Sequence, residues 1–175
     1  SYGIELDMVQ LPLASSIVEN SASPNIMLGK SPERDREIES IQNLIRICGE
    51  VGIPAVKYNM CIVGDPRTER ELGRGGSSVS AFRWSKADQN APPGLAGEVP
   101  ADLFWERIDY FLERAIPAAE SEKVRMALHP HDPYIPDGWM GVDTVLGTVE
   151  GMKKFVQMHE SPYHGLNFCQ GTVTE

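Results

Sequence analysis

The segment VRMALHPHDPY, residues 124–134, begins as an apolar run and ends in His129, His131 and Asp132, fenced by Pro130 and Pro133. An imidazole at a strand end is a ligand for a divalent transition metal, and a thiolate is a better one. The last apolar run, GLNFCQ at 165–170, supplies that thiol in Cys169. His131 and Asp132, just past the first run, have the chemistry of an acid and base pair or of substrate contacts. Lys57 and Asn59 close a third run, IPAVKYNM at 53–60, and suit an anionic or hydroxylated ligand. Arg67, Arg70, Arg74 and Arg83 punctuate the stretch that follows, and guanidinium groups bind carboxylates in a bidentate fork. Each of these residues also has an ordinary use. A strand-end histidine is often a turn or core residue, a lone buried cysteine a small hydrophobe, Asp before Pro a turn former, and a charged loop simply solvated.

The elements that must carry these residues alternate. GIELDMVQL (3–11) reads as a strand with Ile4, Leu6 and Met8 on one side and Glu5 and Asp7 on the other. SPERDREIESIQNLIRICGEVG reads as a helix, with Ser31 as its cap, Pro32 in its first position, and Glu33 and Asp35 at its positive end. Its apolar stripe is Ile38, Ile41, Leu44, Ile45 and Cys48. Strand 53–60 comes next. A second helix, DLFWERIDYFLERAIPAAES, aligns Phe104, Ile108, Phe111, Leu112 and Ala115, and Pro117 is expected to kink or end it. Strand 124–129, a helix over 144–159 weakened by Gly147 and Gly151, and strand 165–170 complete the chain.

A β-α-β-α-β-α-β order implies a parallel sheet with right-handed crossovers, closed as a doubly wound sheet or as part of a (β/α)₈ barrel. No GxGxxG follows the first strand and no GxxxxGK[ST] occurs, while GRGG at 73–76 sits within a loop. Strand parity sorts Val56, Tyr58, Met60, Val124, Met126, Leu128, Leu166 and Phe168 from Lys57, Asn59, Ala127, His129, Asn167 and Cys169. In a barrel the first set covers the helices and the second faces the lumen, its polar members near the C-terminal strand ends where barrel active sites lie. Residues 61–101, rich in Gly and Pro, are long enough to be a lid or binding loop over those ends.

The 175 residues suffice for one domain with its own core. A formal charge of −9 disfavours nonspecific attraction to nucleic acid or anionic lipid. No apolar run reaches the ~18 residues of a membrane span, and SYGIELDMVQLPL lacks the features of a signal peptide. Cys48, Cys61 and Cys169 are odd in number and widely spaced, which fits a reducing, cytoplasmic setting better than a disulfide framework. His159, near a helix C-terminus, is read as structural, and His164 is given no role.

Three stretches carry a resemblance. AIPAAESEKVRMALHPHDPY is similar to a helix ending in P-x-A-E followed by a strand closing on M-A-x-H-P-D-D-P. SPYHGLNFCQGTV is similar to S-x-x-x-G-L-x-x-C-x-G-[ST], and LGKSPERDREIESIQNLIRICGEVGIPAVKYNM to a segment of R-D-x-x-I-E-N, G-x-x-G-I and Y-N. In all three the chain resembles the mannonate dehydratases, metal-dependent lyases of the xylose-isomerase-like TIM-barrel group. The resemblance implies an α/β (β/α)₈ barrel of which this chain, residues 1–175, holds about half in four βα-type units, truncated at both ends. It implies His129 and Cys169 as ligands to Mn²⁺, with Mg²⁺, Fe²⁺ or Co²⁺ as alternatives, the remaining ligands lying outside this chain. It further implies dehydration of D-mannonate to 2-keto-3-deoxy-D-gluconate in hexuronate (glucuronate) catabolism. On that reading Asp132 and His131 are catalytic, and Lys57, Asn59, Arg74 and Arg83 hold a small sugar acid. The expected protein is cytoplasmic, engages neither nucleic acid nor membrane, and pairs, if at all, as a homodimer. Two departures fall where substrate is read: the family's first acid after H-P is His131 here, and the loop after Y-N follows a different pattern. A xylose-isomerase-like isomerase or epimerase, a dehydratase of another sugar acid, and a non-enzymatic metal- or sugar-binding barrel are the competing readings.

Overall fold

The computed structural model describes residues 3–174; Ser1, Tyr2 and Glu175 lie outside the described residues. Four parallel strands form one sheet in the order β1 (Val9–Gln10), β2 (Ala55–Tyr58), β5 (Arg125–Leu128) and β6 (His164–Leu166). The two-stranded antiparallel hairpin of β3 (Glu71–Leu72) and β4 (Ser78–Val79) stands apart. Between them run α1 (Pro24–Leu28), α2 (Glu33–Glu50), α3 (Ala101–Glu122), α4 (Val149–Gln157) and α5 (Gln170–Val173). The sequential, all-parallel order is that of a barrel wall, and it excludes the doubly wound alternative, whose strand order doubles back. The chain is about half of such a barrel.

Register explains the two faces. Val56 pairs with Met126, Tyr58 with Leu128, and Leu128 with Leu166. Paired residues in a parallel ladder share a face. Val56, Tyr58, Met126 and Leu128 are all essentially buried against the helices. They meet Ile38, Ile41, Ile45 and Cys48 of α2 and Phe104, Ile108, Phe111, Leu112 and Ala115 of α3 in one core. The Tyr58 and Phe111 rings lie 5.6 Å apart, tilted. Each large side chain so buried contributes about 1.5–3 kcal/mol. The intervening residues Lys57 and Ala127 remain partly exposed on the opposite, concave face. The parity sorting therefore holds for β2 and β5.

The boundaries differ from expectation where local pattern met tertiary contact. Only Val9 and Gln10 of 3–11 pair in register with β2, the Leu11 amide extending the ladder to Lys57 O at 2.8 Å, while Ile4 and Leu6 are 87% and 60% exposed. Ser31 does not cap α2. Pro32 holds the N-cap position without a side-chain bond, and the amides of Arg34 and Arg36 are satisfied by the carbonyls of Lys30 and Pro32. Leu44 is 40% exposed, outside the buried stripe. Helix α3 runs through Pro117 to Glu122, since Ala115, Ile116 and Ala119 on both sides of the ring are buried in the core. The 144–159 helix begins only at Val149. Thr148 caps it by accepting a hydrogen bond from the Gly151 amide at 3.1 Å, while Val145 and Leu146 enter the core as part of the preceding turn. Phe168 lies beyond β6 and is 66% exposed, not turned toward the helices.

Segment 61–101 follows the C-terminal end of β2 and folds across that end of the sheet. Val63 bridges Ile17, Phe82 and Trp84 pack on Trp139 of the loop after β5, and the Trp139 indole donates to Asp88 O at 2.8 Å. The loop thus covers the expected end of the barrel.

Candidate active site

Three backbone hydrogen bonds carry the ladder past the strand ends: Asn59 N to Leu13 O, His129 N to Tyr58 O, and Asn167 N to Leu128 O. Asn59, His129 and Asn167 therefore follow Lys57 and Ala127 on the concave face. A cleft of about 210 Å³ opens there, lined by Ser15, Lys57, Asn59, Cys61, Asp65, His129, Pro130 and Asp132. Four of the residues expected to form the site, Lys57, Asn59, His129 and Asp132, are thus brought together at the C-terminal strand ends.

The details favour ligand binding over simple packing. Asn59 is 2% exposed and its Oδ1 has no hydrogen-bond partner. A buried amide oxygen left unpaired costs about 1–3 kcal/mol, and a ligand hydroxyl relieves that cost. His129 Nδ1 lies 2.8 Å from the Pro130 carbonyl. A carbonyl only accepts, so Nδ1 carries the proton and the Nε2 lone pair is left for another partner. Metal-binding histidines are commonly oriented by such a bond.

Cys169 stands at the N-cap position of the short α5. Extending the β5–β6 register places His129 beside Asn167, so Cys169 lies two residues further along rather than level with the histidine. Staggering of neighbouring strands is inherent to barrels. Thr172, then the Gly171 amide, hold the Cys169 thiol below its ordinary value against partial burial and the negative Asp132 carboxylate, although the Thr172 hydroxyl itself makes no hydrogen bond of ordinary geometry. The thiolate that a metal needs is thereby favoured. Among the described residues, no three of His, Cys, Asp and Glu come together as a metal-binding group. The donor chemistry of His129 and Cys169 suits a divalent transition metal.

His131 points elsewhere. It is buried, its ring 5.5 Å from that of Phe104, and its Nε2–H donates to Met60 O at 2.8 Å. Burial drives its pKa from 6.5 to about 4, only partly offset by the Met60 bond. The ring is neutral and outside the cleft, where it braces the turn that delivers Asp132. Its place in the expected catalytic pair is not supported by this position, because Pro130 reverses which neighbour faces the sheet. The unfolded chain takes up this proton between pH 6.5 and about 4, and the folded one does not. Stability due to His131 is therefore fully present above pH 6.5 and falls as pH drops toward 4, by about 3 kcal/mol. Urea midpoints of wild type and His131→Leu at pH 7 and pH 4.5 check this: the variant's loss between the two pH values is expected to be smaller.

Arg74 and Arg83 do not reach the cleft. Arg83 is tied to Glu71 of β3 through Nε and one terminal nitrogen at 3.0 and 2.7 Å, and this bond holds Glu71 down at about 2. Arg74 sits at the exposed turn joining β3 and β4. Arg67 is the loop arginine that approaches, pairing with Asp65 at 2.5 Å and facing Asp132 at 3.7 Å. The Asp65 carboxyl is held above the usual range by partial burial first, against Arg67, with the nearby Asp132 charge adding to the rise. Asp65 escaped the sequence reading. Its signal was its place a few residues beyond a barrel strand, where functional residues gather. His164 packs on the Phe155 ring at 4.6 Å and bonds Phe155 O through Nε2, and His159 pairs with Asp109, so both are structural. Cys61 lines the cleft, but burial pushes its thiol up to about 12.

A parallel half barrel with a polar cleft at the C-terminal ends of its strands defines a protein of the (β/α)-barrel class. The family D-mannonate dehydratase (UxuA) matches residues 94–175, a stretch that includes His129, Asp132 and Cys169. A mannonate dehydratase of Shouchella clausii (strain KSM-K16) is 30% identical over 98% of this chain and 54% of its own length. One from Endomicrobium trichonymphae is 27% identical over 91% and 52% respectively. The crystal structure of mannonate dehydratase from Streptococcus suis serotype2 superposes with a TM-score of 0.80 at 29% identity, over 98% of this chain and 48% of that one. A D-tagatose 3-epimerase-like protein shares the fold alone, with a TM-score of 0.52 at 15% identity over 94% and 45% of the two chains. The chain is thus similar to mannonate dehydratases along nearly its whole length, and it spans about half the length of the curated relatives it matches.

Proposed function

We propose that this protein dehydrates D-mannonate to 2-keto-3-deoxy-D-gluconate, a hydro-lyase step of hexuronate breakdown. The observation that carries this reading is the joint presence, at one end of the sheet, of a His129 Nε2 free to ligate and a thiolate-favouring Cys169 beside a carboxylate-bearing polar cleft. The similarity to enzymes called mannonate dehydratases supports it.

Dehydration removes the C2 proton and the C3 hydroxyl. The proton is α to a carboxylate and weakly acidic, so the reaction needs a base for it, stabilisation of developing negative charge, and an acid that protonates the C3 hydroxyl so that it leaves as water. His129 and Cys169 would hold a divalent metal, Mn²⁺ in this reading, which supplies Lewis-acid stabilisation of that charge. Asp132 is the base of the cleft, positioned by the turn that His131 anchors to Met60 O. The unpaired Oδ1 of buried Asn59 accepts a substrate hydroxyl, and the Lys57 ammonium adds positive charge beside it. Segment 61–101 shields this end from solvent.

Full-length protein incubated with Mn²⁺ and D-mannonate is expected to yield the 2-keto-3-deoxy acid, 18 mass units lighter by loss of water, a difference of about one water by mass balance. Product of unchanged mass would instead mark an isomerase or epimerase, and binding without turnover a binding barrel.

A further inference from the structure

Resting on the sugar-acid reading above, we infer that Arg67 is the residue that takes the substrate's carboxylate, exchanging its contact with Asp132 for the bound acid. The guanidinium is engaged on one side only. One terminal nitrogen meets Asp65 Oδ1 at 2.5 Å and donates to Pro66 O at 2.9 Å. The other faces Asp132 Oδ2 at 3.7 Å, beyond hydrogen-bond reach, so this second contact is a loose ion pair. The Arg67 side chain is 32% exposed, open enough for a ligand to approach. A carboxylate entering between Arg67 and Asp132 can make the parallel pair of bonds that Asp132 does not make.

The surroundings select the ligand class. Lys57, Asp65 and Asp132 line the cleft in which the buried Asn59 Oδ1 awaits a donor, and Arg67 borders it from the adjoining cleft through its contacts with Asp65 and Asp132, so that two acidic and two basic groups balance. A carboxylate on Arg67 with a hydroxyl nearby for Asn59 describes a hydroxylated acid, not a neutral sugar. Exchange also leaves Asp132 without its only arginine partner among the described residues, freeing its carboxylate when substrate is present. Asp65 is a positioning residue: its short contact holds one side of the guanidinium and keeps the other beside Asp132 at the cleft edge. Lys57 carries the same charge but lacks the planar fork, so it is the weaker carboxylate holder.

The test compares D-gluconate with D-glucitol, an acid and its neutral alcohol on the same carbon chain, by calorimetry on full-length, Mn²⁺-loaded protein. Wild type is expected to bind the acid at least about tenfold more tightly than the alcohol. Arg67→Ala should lower that ratio by about 10- to 100-fold with the glucitol affinity unchanged. Arg67→Lys and Asp65→Asn should each retain part of the preference, and Arg83→Ala all of it. A preference that survives in Arg67→Ala, that is lost in Lys57→Met instead, or that wild type lacks, overturns the inference. A merely structural role for Arg67 would weaken both ligands alike and would overturn it too. Arg67-dependent acid binding without dehydration of D-mannonate removes the proposed reaction alone. Dehydration with an Arg67-independent preference removes this inference alone.

Discussion

His129→Ala and Cys169→Ser, made singly in full-length protein, are each expected to lower both bound Mn²⁺ and the rate of D-mannonate dehydration. The fall in kcat/KM should be on the order of 10³-fold, about 4 kcal/mol of transition-state stabilisation. Metal analysis after gel filtration and steady-state assay of the same samples check the two effects together. His129 is oriented by Pro130 O, which leaves Nε2 for a metal, and the Cys169 thiol is shifted toward thiolate by Thr172 and the amides around it. Neither feature contributes to the core, since both residues are only partly buried. Loss of metal without loss of thermal stability of the remaining fold is therefore the expected pattern. A His129→Ala protein with full metal content and full activity would return that histidine to an ordinary strand-end role.

Gly151→Ala is expected to destabilise the domain by about 3 kcal/mol, although alanine is the better helix former. Gly151 lies in the first turn of α4. A Cβ built there would stand 1.8 Å from the Val145 carbonyl oxygen, with the Val145 carbonyl carbon at 3.0 Å and Thr148 Oγ1 at 3.2 Å. The first two atoms are backbone and cannot swing aside. The gain in helix propensity from Gly to Ala is about 1 kcal/mol, too small to offset overpacking against a main chain. Relief would require moving Val145 and Leu146 out of the core or breaking the Thr148 cap. Gly147→Ala is the control, because its nearest atoms, on Tyr134 and His131, lie at 3.7 and 3.8 Å, ordinary contact distances. Thermal melts should separate the pair by roughly 6–12 °C.

Gly151 illustrates where sequence reading reaches its limit. By propensity it is a weak point in a helix; by contact it is the residue that lets the 145–148 turn close over the helix start. Pro117 errs in the same direction. A proline inside a helical pattern reads as a stop, yet buried side chains before and after it hold α3 together. In both cases nonlocal packing outweighed a local preference of about 1–3 kcal/mol.

The sequence by itself determined the alternation of strands and helices, the parallel sheet, and the faces of β2 and β5, because a two-residue period with large apolar groups on one side admits only one burial. It also determined that Lys57, Asn59, His129 and Asp132 stand near strand ends, since they follow directly on those runs. Only the tertiary structure decided which polar groups meet. His131 and Asp132 are adjacent, yet one enters the core to bond Met60 O and the other lines the cleft. Four loop arginines look alike in sequence, yet Glu71 holds Arg83 in the hairpin, Arg74 stays at its tip, and Asp65 holds Arg67 beside Asp132 at the cleft edge. The physical reason is the same in each case: a side chain's direction past the end of a strand is set by partners distant in sequence, and no local period encodes them.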